Sequence, residues 1–341
     1  MRLSLVPFAA ALLGLVATSA ANEPPVPVPA RRGTTLKLAS IFPEGSIWDK
    51  AFRQMGADWR KSGAPDVKIR VYPGGVAGDE PDIVRKMRIG QLHAACLTVS
   101  GLAEIDEAFS FFEIPLFFDS YDEVLHVVRE TEPELRERLQ KKGFVLVHWG
   151  HGGWIRVFSR KPVRKIDDLR ALKQFTWAGD SEMEKWWRDN GFQPVPLAAT
   201  DIVTGLETGL IEAVPATPLA VLSLQWFRST EYMLEHRFLP FLGATIVSER
   251  AWKKLSSEEQ AAILAAGKRA EESLFREVPV MEESAVAEMK KRGLKTTQLE
   301  GGLKPWVDAG RAYATVVKSS IGGSFYGRAV AARDAFRAKA E

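Results

Sequence analysis

The chain has 341 residues, with 46 basic and 43 acidic side chains, a formal net charge of +3 and one cysteine. Charge this evenly balanced leaves no basic footprint for nucleic acid, and the lone Cys96 excludes an internal disulfide. The length is more than one hydrophobic core usually supports, so two lobes are expected.

Arg2 precedes an apolar run over residues 3–16, and the small residues Ala17, Thr18, Ser19, Ala20 and Ala21 follow. These are the basic, apolar and small-residue parts of a secretory signal, and the apolar part is shorter than the ~20 residues of a membrane span. Cleavage after residue 21 removes one basic residue, leaving 45 against 43 acidic ones. No cysteine adjoins that point to carry a lipid, so the mature protein is expected to be exported and soluble. Residues 22–34, rich in proline, read as a disordered spacer.

Residues 36–41 read as a strand, and Ser46 caps a helix in which Ile47, Trp48, Phe52, Met55 and Trp59 recur at helical spacing until Gly63. Residues 67–72 alternate as a strand, Asp79 opens a helix with Pro81 in its first turn, and residues 93–99 form a third strand. Cys96, among Ala94, Ala95 and Leu97, is expected as a buried strand thiol. Ser120 and Glu123 predict a capping box for a helix to Lys142, followed by a strand over residues 144–149. This βαβ order predicts an α/β protein with mostly parallel, doubly wound sheets.

The pattern changes at residues 148–154. Gly150, Gly152 and Gly153 separate the strand over residues 144–149 from another over residues 155–159, which is suited to a hinge between lobes. A phosphate-binding loop fits less well, because such loops open a helix. Residues 195–219 read as a strand, a short acid-capped helix, a glycine-bounded turn and a second strand. Ser256 and Glu259 cap a helix to Arg292, ~50 Å long at 1.5 Å per residue, more than one lobe can cover. Helices over residues 303–321 and 325–340 close the chain, with the second lobe expected beneath them.

Enzyme signatures are poor. There is no Gly-x-Ser-x-Gly elbow, Cys96 has no positioned partner, and the His148–His151 pair lacks a third metal ligand nearby in sequence. Neither a metal nor a cofactor is expected.

Three phrases follow one another along the chain: Tyr72-Pro73-Gly74-Gly75 with Gly78-Asp79-Glu80 and Gly90-Gln91-Leu92; Pro162 with Asp168, Leu169 and Lys173; and residues 195–219. In that order they resemble the DctP-type substrate-binding proteins of tripartite ATP-independent periplasmic (TRAP) transporters, over about residues 37–254. The resemblance implies a two-lobe periplasmic binding protein fold, type II-like, with a long helix spanning both lobes. Lobe I would comprise residues 35–152 and about 238–275, lobe II residues 153–237 and about 276–341. It also implies a periplasmic location, a small-molecule ligand captured by lobe closure, and partnership with a small and a large membrane subunit.

The same resemblance marks two departures. Family members place a carboxylate-binding arginine where this chain has Phe175, and a proline where it has Trp177. Their ligand-reaching asparagine falls in residues 212–218, where only Thr217 offers a side-chain hydrogen bond between Ala213 and Pro218. The positions expected at the ligand are therefore Phe42, Trp48, Thr98, Trp149 and Trp154, with Arg156, Phe175, Trp177, Thr217 and Gln225. An apolar or aromatic ligand follows from the missing arginine. The alternatives are a monocarboxylate with a large apolar body held by Arg156, a sensing module docking on a membrane receptor, and a secreted enzyme on the same scaffold.

Overall fold

The computed structural model describes residues 33–178 and 181–339, with the side chains of residues 181 and 182 left aside. The signal segment and nearly all of the spacer lie outside the described residues.

Nine strands are present among the described residues: β1 (Thr35–Ser40), β2 (Lys68–Tyr72), β3 (Ala94–Thr98), β4 (Phe144–Ser159), β5 (Lys173–Trp177), β6 (Gln193–Leu197), β7 (Ala213–Ala216), β8 (Tyr232–Ser248) and β9 (Lys295–Thr297). They run β2-β1-β3-β8-β4-β7-β5-β6, with β9 also on β8. β1 pairs in parallel with β2 and β3, and β5 in parallel with β6 and β7. Antiparallel pairing of β8 with β3 and β4, and of β4 with β7, joins these two parallel wings.

Local signals account for several helices. Ser46 accepts from Asp49 N at 3.3 Å to start the helix Ile47–Lys61, which buries Trp48, Phe52, Met55 and Trp59. Trp59 Nε1 donates to Val67 O at 2.8 Å, tying that helix to the approach to β2. Ser256 and Glu259 form the predicted capping box of the 35-residue helix Ser257–Lys291. Cys96 is buried in β3, and burial pushes its thiol up to about 12, which makes it inert at neutral pH.

Elsewhere the chain departs from the pattern. Ser120 does accept from Glu123 N, but the Glu123 carboxylate takes Asp119 N at 2.5 Å and pairs with Arg337, so no box closes. The glycine crossing does not divide two strands: β4 runs unbroken over 16 residues, with register irregularities at Leu146/His148, His151/Trp154 and Ile155/Val157. Its partner β8, 17 residues long, was not foreseen at all. The closing helices Lys304–Ile321 and Gly323–Arg337 reach elements expected in the first lobe. Gly310 packs on Pro115, and Arg328 pairs with Glu134.

Glycine serves close packing at this crossing more than freedom of rotation. A Cβ on Gly243 of β8 would lie 2.4 Å from Leu97 O, and one on Gly152 would lie 2.4 Å from the Phe241 ring. Gly150, by contrast, has only Gly243 O at 3.6 Å. Gly243→Ala is therefore expected to force β3 and β8 apart and cost about 1–3 kcal/mol, while Gly150→Ala costs much less. Chemical denaturation of both variants measures the difference, and equal stabilities would contradict the packing argument.

Candidate ligand-binding cleft

The long helix Ser257–Lys291 holds β4 through two carboxylates. Glu271 Oε2 accepts Trp149 N at 3.0 Å, and Glu282 Oε2 accepts Trp154 N at 3.0 Å. Glu282 also accepts from Arg156 at 3.2 Å and from the Tyr121 hydroxyl. Burial, with the Glu282 charge beside it, drives the Tyr121 pKa upward, so it stays a donor. A Cβ on Gly153 would lie 2.9 Å from Glu282 Oε2, and this residue has φ +100, so glycine is required on both counts.

A cleft of about 400 Å³ opens where the wings face each other across this crossing. One wing contributes Phe42, Trp48, Gly74, Gly75 and Asp79, the other Phe175, Trp177, Ala216, Thr217 and Trp226. Ile155 of β4 and Phe241 of β8 form its floor. Phe42 stacks on Trp48 at 4.5 Å between centroids, and Trp48 Nε1 is anchored to His151 O at 3.2 Å. The mouth is latched: Asp79 Oδ2 accepts Ala199 N from the opposite wing at 3.1 Å, and Gly75 approaches Thr200 closely. These contacts join the two wings at the mouth.

Five of the ten expected ligand positions meet here: Phe42, Trp48, Phe175, Trp177 and Thr217. Thr217 is buried and accepts Ala220 N at 3.3 Å, capping the helix Pro218–Ser223. The other five lie elsewhere. Thr98 is bound by Glu80 through both its N and Oγ1, at 2.6 and 2.5 Å. Trp149 packs on Phe109 and Phe112, and Trp154 on Tyr121, because the irregular register of β4 turns both rings into the core. Arg156 faces Glu282, while its neighbour Ile155 faces the cleft, as strand alternation requires. Gln225, at φ +58, lines a separate small pocket with Val203 and Arg228.

Sequence reasoning missed the acid-bearing latch and the floor from β8. The Gly78-Asp79 pair that carried the family resemblance was the available signal for the first. His148 and His151 are both buried, and burial lowers His151 to about 4, so both imidazoles are neutral interior groups.

No lysine or arginine lines the cleft among the described residues; its charged members are Glu44 and Asp79. Its polar side chains besides these are Thr200 and Thr217.

Residues 38–315 match the family of bacterial extracellular solute-binding proteins, family 7 (DctP). The chain belongs to this family. It is 24% identical over 310 residues to a solute-binding protein of Albidiferax ferrireducens, covering 86% of this chain and 90% of the relative. With the 2,3-diketo-L-gulonate-binding periplasmic protein of Escherichia coli it shares 23% identity over 235 residues, 67% of this chain and 70% of that one. A Haemophilus influenzae relative, 23% identical over 194 residues, is matched over 58% of its length and 57% of this chain. Among solved structures, the pyroglutamate-binding receptor DctP7 of Bordetella pertussis superposes with a TM-score of 0.82 at 19% identity, covering 88% of this chain and 99% of that one. The galactonate complex of the sugar acid binding protein DctPAm of Advenella mimigardefordensis gives 0.83 at 15%, covering 89% and 98%. The fold is the two-lobed one of TRAP solute-binding proteins.

Beneath the latch, burial pushes the Glu80 carboxyl up to about 7, against the hydrogen bonds from Thr98. Folding disfavours the ionised form, so this group carries no penalty at acid pH, where both states are protonated. The penalty grows as pH rises through about 7. Wild type should therefore lose stability relative to Glu80→Gln between about pH 5 and about pH 8, by at most ~1.4 kcal/mol per pH unit. Parallel urea-unfolding midpoints for the two proteins across that range would assign Glu80 an ordinary pKa.

Proposed function

We propose that this chain is the exported receptor of a TRAP-type secondary transporter, capturing a small apolar or aromatic molecule in the cleft and delivering it to a small and a large membrane subunit. The observation that carries the ligand class is the absence of any lysine or arginine from the cleft lining among the described residues. Phe175 and Trp177 stand edge to face at 5.0 Å where relatives are expected to present their arginine. Pyroglutamate and galactonate, named for the Bordetella and Advenella proteins, bring a carboxylate whose desolvation costs several kcal/mol. Here Arg156, the candidate anchor, pairs with Glu282 at 3.2 Å. Burying ~200 Å² of apolar ligand contributes about 5 kcal/mol before the costs of association, so a guanidinium is unnecessary.

The latch between Asp79 and Ala199 supports capture by lobe closure about β4 and β8. The signal-like N-terminus supports a periplasmic location, and the family comprises solute-binding proteins, which supports capture without turnover.

Calorimetry should show that succinate and malate bind poorly. Phe175→Ala should cost the native ligand ~2 kcal/mol or more through lost packing, and Phe175→Arg should weaken it further while admitting carboxylates. Tight succinate binding by wild type, or unaltered affinity in Phe175→Ala, would sink the apolar assignment.

Uptake by whole cells should collapse with the sodium and proton gradients and survive ATP depletion. The opposite dependence would remove the chain from the secondary transporters while leaving the cleft chemistry untouched.

A further inference from the structure

The charge of the cleft is one-sided: the ionisable side chains that line it, among the described residues, are the carboxylates of Glu44 and Asp79. Glu44 is exposed and pairs with Arg53 at 3.2 Å, so its charge is compensated. Asp79 is half-buried, and no cation pairs with it among the described residues. Its Oδ1 accepts Glu80 N at 2.9 Å and its Oδ2 accepts Ala199 N at 3.1 Å. A carboxylate offers about four acceptor sites, so roughly half of them remain, on a group that stands between the wings at the mouth.

Hydrogen-bond donors are scarce on the same surface. Trp48 Nε1 and the backbone amides of Gly74, Gly75, Ala199 and Ala220 are committed inside the protein, and Pro43 and Pro215 have no N–H to give. The Thr200 and Thr217 hydroxyls can accept as readily as donate. Phe42, Trp48, Phe175, Trp177, Trp226 and Phe241 bring six aromatic side chains to the lining, and the faces of such rings attract cations. An anion is held by cations and free donors. Here the lining offers a carboxylate and rings instead.

We propose that the cleft selects an organic cation, a molecule whose apolar or aromatic body lies on the rings and whose protonated amine sits at the mouth against Asp79. The proposal rests on the apolar reading of the cleft and adds the sign of the ligand's charge. Because Asp79 is only half-buried, an ammonium beside it keeps part of its hydration, and its desolvation cost is smaller than it would be deeper between the wings.

Calorimetry of the mature chain at neutral pH with 2-phenylethylamine, 2-phenylethanol and phenylacetate reads that sign, since the three share a phenyl body and differ in the charge of the end group. The amine is expected to bind about tenfold tighter than the alcohol, with phenylacetate weakest. Asp79→Asn keeps an acceptor for Ala199 N and removes the charge, so the ratio of amine to alcohol affinity should fall towards one. Taken within one protein, that ratio is insensitive to any loosening of the mouth. An alcohol bound as tightly as the amine by wild type overturns the cationic assignment and leaves the apolar reading standing. Phenylacetate bound tightest overturns both. Absence of saturable amine binding, or a ratio in Asp79→Asn equal to that of wild type, also overturns the proposal. A melting curve confirms that the variant is folded; should it not fold, the three wild-type affinities decide alone.

Discussion

A geometric match between one helix and one strand underlies the rest of this structure. Glu271 and Glu282 are eleven positions apart on the helix Ser257–Lys291, and the amides they accept, Trp149 and Trp154, are five apart on β4. Eleven helical residues advance ~16 Å, about three turns, so both carboxylates emerge on one face. Five strand residues also advance ~16 Å. Each carboxylate thus meets an amide that the irregular strand would otherwise leave to water. A buried carboxylate with several donors is stable only while all of them are present, since removing one partner of such a pair typically costs ~3–5 kcal/mol. The helix therefore fixes the path of the crossing strand and, through it, the angle between the wings.

The character of the cleft follows from that arrangement. Glu282 draws Arg156, Tyr121 and the Trp154 amide to the helix side of β4, and alternation then presents Ile155 to the cleft. Arg156 is thereby held on the helix side of the strand. What remains at the cleft is apolar on both wings, with Asp79 at the mouth engaged in joining them. A cleft lined by no cation among the described residues has no fixed positive charge to offset the desolvation of an anionic ligand, so apolar area would carry more of the affinity there.

Much of this was legible wherever the cause was local. The helix Ile47–Lys61 announced itself through its Ser46 cap and apolar spacing, and the long helix through Ser256 and Glu259. Long-range causes were not legible. Glu123 was read as the partner of Ser120, but Arg337, more than two hundred residues later, competes for its carboxylate. Gly152 and Gly153 looked like a break, because glycine ordinarily signals one; here they make room for Phe241 and for Glu282 within a continuous strand. β8 escaped notice because Glu235, His236, Arg237 and Pro240 interrupt its apolar pattern, although the run from Phe238 to Val247 carried a strand signal. Trp149 and Trp154 were placed in the cleft by proximity to the hinge. Register irregularities, invisible in sequence, decide which way a strand residue points.

Phe175 shows how a single position can change the logic of a site. It lines both the cleft and a neighbouring aromatic pocket, in edge contact with Trp177. A guanidinium there would carry a desolvation cost that only a matching anion offsets, so it would reward charge and leave the neighbouring rings as scaffolding. A phenyl ring has no such cost and is held by its neighbours, with few conformations to lose on binding. The ring then belongs to a rigid apolar wall shared by the two, and anything that shifts it alters both at once. Rigidity of this kind favours a ligand whose shape already fits the cleft, because little rearrangement is left to be offset by the contacts formed.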